Sequence, residues 1–219
     1  MPDDAEILAT RPDASSFAAP AYPPGLGVVD NLLAEPRRKQ IADFLNQGGW
    51  RFGWKSNAKT DNFSFWHKHF AGSFYTDHYD KNGQGRQYDC ADELHRKVPL
   101  LHGLWLDLEK GPLAGHTLVR CYANGFPFGS EGSIHTDALS KQSFTSVYYP
   151  HDQWHPNWGG ETVFFNRERT DIIASIYPRP NRLVMFEGTL PHVARGVSRI
   201  CPMLRVTLMF KTEIGPLNP

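Results

Sequence analysis

Beyond Gly111 the chain breaks into short apolar segments, at about 117–123, 132–136, 143–149, 161–165, 172–177, 182–186, 190–195 and 203–211, each closed by Gly, Pro or polar turn residues. Runs of this length between turn formers read as strands. Eight of them within about one hundred residues predict a double-sheet jelly roll.

The region before them has a different period. Over residues 35–47, Ile41, Phe44 and Leu45 share one side while Arg37, Arg38 and Lys39 lie elsewhere, and Gly48 and Gly49 follow, as at the C-terminal end of an amphipathic helix. Over residues 92–110, Leu94, Val98, Leu101, Trp105 and Leu108 recur at helical spacing, with Pro99 as a local disturbance. Helices first and strands second give an α+β, mainly β fold, with the helices packed outside one sheet and the mouth of the roll left free. Between the helical stretches lies an aromatic run: Trp50, Phe52, Trp54, Phe63, Phe65, Trp66, Phe70, Phe74, Tyr75 and Tyr79, interleaved with Lys55, His67, Lys68 and His69. Such a run serves either as a satellite cluster that packs helices onto a sheet or as a wall facing a substrate.

The 219 residues suit one domain. Residues 1–25, rich in Ala, Pro and Ser, read as a flexible leader, and residues 26–219 as a single domain with its jelly-roll core at about 117–211. Basic and acidic residues number 23 each with no long run of one sign, so a nucleic-acid partner is not expected. The three cysteines, Cys90, Cys121 and Cys201, are too few for a disulfide framework. They fit a reducing, cytoplasmic compartment. No apolar stretch is long enough to span a bilayer, and no membrane partner is expected.

The chemistry is carried by His135 and Asp137, with His192 fifty-five residues after the aspartate. Two imidazoles and one carboxylate on one face of an octahedron leave three positions open, the arrangement of non-heme Fe(II) oxygenases. A zinc site at His151 and His155, four residues apart, is the first rival. However, Pro150, Pro156, Trp154 and Trp158 argue for a loop there, and no glutamate follows His151 as in a metallopeptidase. These two histidines are expected on the rim.

The strand region resembles the prolyl 4-hydroxylase-like branch of the Fe(II)- and 2-oxoglutarate-dependent dioxygenases. The resemblance runs through Arg-Cys-Tyr-Ala-Asn-Gly at 120–125, His-Thr-Asp at 135–137, Val-Tyr-Tyr at 147–149, Gly-Gly-Glu-Thr-Val-Phe at 159–164, Pro-His at 191–192 and Arg-Val-Thr-Leu at 205–208. It implies Fe(II) on His135, Asp137 and His192 as the catalytic centre, with 2-oxoglutarate and O2 as cosubstrates. It also implies that Arg205, thirteen residues after His192, holds the far carboxylate of 2-oxoglutarate, with Tyr122 and Tyr149 as hydroxyl partners, and Thr207, on the same strand face as Arg205, offers a further hydroxyl. Arg195 and Arg199 rank behind Arg205, in what reads as a turn. Gly159 and Gly160 suit a close backbone approach. Related halogenases carry a small residue in place of the aspartate, so Asp137 favours hydroxylation, with succinate and CO2 as coproducts. The insert at residues 126–132 lengthens the loop before His135 relative to some relatives, and the first hundred residues match no motif.

For the substrate, a small molecule or an amino-acid-like compound is expected, with Trp54, Lys55, His67, His69, His151 and Trp154 as candidate contacts. A peptidyl proline is the alternative with the same chemistry. A non-catalytic jelly-roll binding module is the alternative of another class.

Overall fold

A computed structural model describes residues 22–56, 61–73 and 87–217. In chain order these form β1 (Leu26–Val29), α1 (Glu35–Asn46), β2 (Arg51–Trp54), β3 (Phe65–Gly72), α2 (Ala91–Lys97), α3 (Pro99–Lys110), β4 (His116–Phe126), β5 (Ser143–Tyr149), β6 (Thr162–Phe165), β7 (Ile172–Ile176), β8 (Arg182–Glu187), β9 (His192–Ala194) and β10 (Arg205–Ile214). Seven strands make one antiparallel sheet in the order β1-β8-β5-β10-β4-β3-β2, and β7-β6-β9 make a second. This is the double-sheet jelly roll expected from the strand spacing.

Strand alternation explains the layering. Side chains two apart share one face of a strand. On β10, Val206, Leu208 and Phe210 join Cys121 and Ala123 of β4 and Tyr148 of β5 in a cluster with Ile41 and Leu45 of α1, Leu94 of α2, and Leu101, Leu104, Trp105 and Leu108 of α3. The intervening residues point the other way: Met209 of β10, Tyr122 of β4, and Val147 and Tyr149 of β5 meet Phe164 of β6 and Ile176 of β7 between the two sheets. The three helices therefore cover one face of the large sheet and leave its other face to the small sheet and to a pocket.

Three details differ from the sequence reading. The stripe over residues 92–110 is two helices, because Pro99 has no N–H to donate and drives Val98 out of helical geometry, to φ −144° and ψ 76°. The segment 132–136 is not a strand but contains an isolated bridge, His135 to His192. Its ladder stops because the Ser133 N–H is taken by the Asp61 carboxylate, 3.0 Å away, rather than by a neighbouring strand. Finally, part of the aromatic run forms β2 and β3, which extend the large sheet beyond β4.

Within that run both expected roles are visible. Phe65 stacks on Phe126 at 4.3 Å between ring centroids, and Phe70 joins the helix-side cluster, as structural aromatics do. Trp54 instead stacks on His67 at 4.1 Å, and His67 in turn lies against Tyr122. Phe74, Tyr75 and Tyr79 lie outside the described residues, as do residues 1–21 of the expected leader.

Candidate active site

The small sheet and the bridge bring the two histidines together by backbone alone. The N–H of His135 donates to the His192 carbonyl at 3.0 Å, and the His192 N–H returns the bond at 2.9 Å. Asp137 is fixed from the other side, its N–H donating to the Gly188 carbonyl at 2.8 Å. Each imidazole is then oriented by the same device, Nδ1 facing the carbonyl two residues back: Ser133 for His135 at 2.8 Å and Leu190 for His192 at 2.9 Å. An Nδ1 committed as donor to a carbonyl leaves Nε2 with its lone pair, which is how metal-ligating histidines are oriented.

Those lone pairs converge. His135 Nε2 is 3.6 Å from Asp137 Oδ1, His192 Nε2 is 3.4 Å from Asp137 Oδ2, and one ligand atom from each of the three lies within 4.8 Å of the others. Cis ligands at about 2.1 Å from a metal stand about 3 Å apart, so the donor set fits a divalent ion after a small contraction. Among the described residues it is the one such group of His, Cys, Asp or Glu. Charge favours the same use. Burial pushes the Asp137 carboxyl up, but the Lys211 ammonium, with the hydrogen bond from His135, outweighs it and holds the carboxyl well below its usual range. Burial pulls the His192 imidazole down to about 4, against the pull of Asp137, so it is neutral at pH 7. A metal needs all three ligands deprotonated, and at His135, where burial lowers the imidazole but Asp137 raises it above its ordinary value, an arriving ion would displace the proton.

The same pocket holds a buried cation without a carboxylate. Its lining includes His135, Asp137 and His192 together with Arg205, Thr207, Tyr122, Asn124 and Thr162. Arg205 is 2% exposed. Its Nε donates to the Gly160 carbonyl, and one Nη donates to the Thr162 hydroxyl at 2.9 Å and to the Tyr149 hydroxyl at 3.4 Å. The Tyr149 and Thr162 hydroxyls are themselves 2.7 Å apart. No salt bridge to Arg205 occurs among the described residues. A desolvated guanidinium held by neutral groups is costly alone and suits an anionic ligand. Gly160 allows the approach: a Cβ there would lie 2.9 Å from Arg205 Cδ, on backbone at φ +82°. Arg195 and Arg199, the other candidates, are exposed and lie over Phe165 and Phe128.

The remaining candidates divide. His67 is buried behind the pocket wall, with Nδ1 2.9 Å from Asn124 Oδ1, and Trp54 covers its ring. Lys55 is half-buried beside Ser56, which lines the pocket. The half-buried His69 turns away, with Nε2 2.9 Å from the Gly72 carbonyl. His151 and Trp154 do not meet the pocket at all. His151 is buried, not on the rim as expected, because its Nε2 accepts the Val206 N–H at 3.2 Å. Trp154 packs on its ring, and His155 is exposed. His151 instead lines a second cavity of about 340 Å³ with Trp50, Asn46 and Leu204.

Burial, aided by Arg205, pulls His151 down to about 3, and burial takes His67 to about 4. A histidine depressed in the fold contributes stability that is full above its ordinary value near 6.5 and is lost as pH falls through the folded value. At pH 5 a shift of that size corresponds to about 2 kcal/mol for His151. Urea unfolding at pH 7 and pH 5 is expected to show a clear loss at the lower pH, and His151→Gln is expected to lessen that loss. Equal pH dependence in the two proteins would contradict this account.

Sequence reasoning missed Asn124, Phe126, Thr145, Thr162 and Lys211. The signal was present, since Asn124 and Phe126 follow Tyr122 at a period of two and Lys211 follows Arg205 and Thr207 in the same way.

A jelly roll with two imidazoles, one carboxylate and a buried arginine in one pocket is the framework of an iron- and 2-oxoglutarate-dependent oxygenase. Residues 117–210 match the model of the 2OG-Fe(II) oxygenase superfamily, a match that supports dioxygenase chemistry. No curated protein matches the chain in sequence. Among solved structures, it is similar to a 2OG-Fe(II) oxygenase family oxidoreductase from Burkholderia pseudomallei, with TM-score 0.61 and 14% identity over 88% of this chain and 87% of that one. A prolyl-4-hydroxylase from Pseudomonas putida is similar at TM-score 0.55 and 16% identity, over 87% and 93%. HygX from Streptomyces hygroscopicus, solved with nickel and 2-oxoglutarate bound, is similar at TM-score 0.57 and 11% identity, over 87% and 83%.

Proposed function

We propose that the protein hydroxylates an unactivated C–H bond of a small-molecule or amino-acid-like substrate, with His135, Asp137 and His192 holding Fe(II). Arg205, Tyr149, Tyr122 and Thr207 then bind 2-oxoglutarate, and O2 is the second cosubstrate. The observation that carries this reading is the sharing of one pocket by three convergent ligand atoms and a buried arginine that has no carboxylate partner among the described residues. Bound Fe(II) supplies the oxidising chemistry by activating O2 as 2-oxoglutarate is converted to succinate and CO2. The chain's own residues position the reactants. Arg205 fixes one end of the cosubstrate, and the backbone bridge between His135 and His192 fixes the ligand geometry.

A small substrate fits the depth of the site, where the imidazole of His192 is only 8% exposed and the carboxylate of Asp137 16%. Ser56 and Asn124 line the pocket and would meet the substrate, while Trp54 and His67 back the same wall and Lys55 stands beside it. The chain has no helix among the described residues long and apolar enough to cross a membrane, and its three cysteines are unpaired. A cytoplasmic location is consistent with both.

The deciding experiment is anaerobic reconstitution with Fe(II) and 2-oxoglutarate, followed by exposure to air with a panel of free amino acids, small metabolites and proline-containing peptides. A weak visible charge-transfer band and succinate formation stimulated by a small compound are expected. Stimulation by peptides alone would move the assignment to protein hydroxylation, and absence of both band and succinate would overturn it.

A further inference from the structure

The site-facing side of β10 carries a second cation, Lys211, six residues beyond Arg205 and therefore on the same face. It is 8% exposed. Its ammonium donates to Asp137 Oδ2 and, at 2.7 Å, to the hydroxyl of Thr145. Thr145, fully buried and paired with Lys211 across β5 and β10, in turn donates its hydroxyl proton to the same Asp137 oxygen at 2.7 Å. One oxygen of the aspartate thus takes two donors, both from rigid strands of the large sheet, although Asp137 itself sits in a loop.

We infer that Lys211 is a positioning residue for the metal centre: with Thr145 it holds the Asp137 carboxylate in its ligating orientation and draws electron density away from it. The inference rests on the reading of His135, Asp137 and His192 as metal ligands. Its physical basis is the asymmetry of the carboxylate. A carboxylate in a loop is free to rotate, and each orientation offers a metal a different oxygen. Two fixed donors select one orientation before the metal arrives. A charged donor does more than orient, because its positive charge beside the carboxylate lowers the electron-donating power of that ligand. An ion pair serving the fold alone would do neither, and a buried pair is in general no better for stability than well-packed apolar side chains.

The test uses the full chain and the variants Lys211→Met, Lys211→Arg, Thr145→Val and His135→Ala, with Mn(II) binding followed by calorimetry and the Fe(II)–2-oxoglutarate charge-transfer band recorded without oxygen. Thr145→Val, which removes one orienting donor and leaves the charges unchanged, is expected to weaken Mn(II) binding about 10-fold, the lower range for loss of an outer-shell partner. Lys211→Met is expected to shift the band to longer wavelength, because a more strongly donating carboxylate makes Fe(II) easier to oxidise, and Lys211→Arg, which keeps the charge, is expected to keep the native band position. Thr145→Val keeps the lysine, so the orienting role is testable even where Lys211→Met does not fold. Wild-type affinity in Thr145→Val and wild-type band position in Lys211→Met, alongside loss of metal in His135→Ala, would leave Lys211 a purely structural residue. Retention of metal by His135→Ala would overturn the ligand assignment itself.

Discussion

His135→Ala is expected to bind Fe(II) or Mn(II) at least 100-fold more weakly than the native protein, beyond the range of about 10–100-fold that outer-shell partners contribute. Conversion of 2-oxoglutarate to succinate is expected to fall by about three orders of magnitude, corresponding to about 4 kcal/mol of lost transition-state stabilisation. Three protein ligands are all that the described residues offer, and removing one leaves only a histidine and a carboxylate. The fold should survive. The bonds that hold residue 135 against residue 192 are made by backbone N–H and carbonyl groups, which alanine also has. Calorimetry with Mn(II), succinate release and thermal melting check the three parts separately. Native metal affinity in a folded His135→Ala protein would refute the assignment.

Arg205→Met is expected to raise the half-saturating concentration of 2-oxoglutarate about 100-fold, equivalent to roughly 2–3 kcal/mol, the worth of a charge-assisted contact to a carboxylate in a desolvated setting. Metal affinity should be little changed, because Arg205 is not among the candidate ligands. Arg205→Lys should recover only part of the loss, since an ammonium lacks the fork that reaches the Gly160 carbonyl and the Thr162 hydroxyl while facing a carboxylate. A melting experiment adds an independent reading. With Mn(II) present, 2-oxoglutarate should raise the melting temperature of the native protein and leave that of Arg205→Met nearly unmoved, because only a ligand that binds the folded state stabilises it. An equal rise in both proteins would remove Arg205 from the cosubstrate site.

How much of this was legible in the sequence depended on whether the signal was periodic or three-dimensional. The period of two in the strands is set by backbone geometry, so the segment 143–149 is recovered residue for residue, and Arg205 and Thr207 fall on the site-facing side of β10. Helical spacing was equally clear, and Pro99, expected only as a local disturbance, divides the stretch into two helices. The segment around His135 looked like a strand from its own residues. What interrupts it is Asp61, more than seventy residues earlier, and no local pattern carries that information. His151 failed as a rim residue for a similar reason: its partner is a backbone amide on β10, brought near only by the fold. Lys211 lay at the end of the expected last strand with the correct parity, but its role becomes visible only when Thr145 and Asp137 are set beside it.

The reciprocal bond between His135 and His192 has a consequence for how such a site diversifies. Anchoring of the loop after β4 to β9 begins at Gly132, whose N–H donates to the Ala194 carbonyl, and continues through His135 to Asp137 and Ala138 on Gly188. Residues 127–129 lie before these anchors, with Phe128 exposed, and Ser130 beyond them is buried with its hydroxyl on the Ser64 carbonyl. Insertions or deletions at residues 127–129 would reshape the entrance without transmitting displacement to the ligands. The entrance is thus free to drift in length and composition and to acquire new substrates, while the machinery beneath it keeps its geometry unchanged.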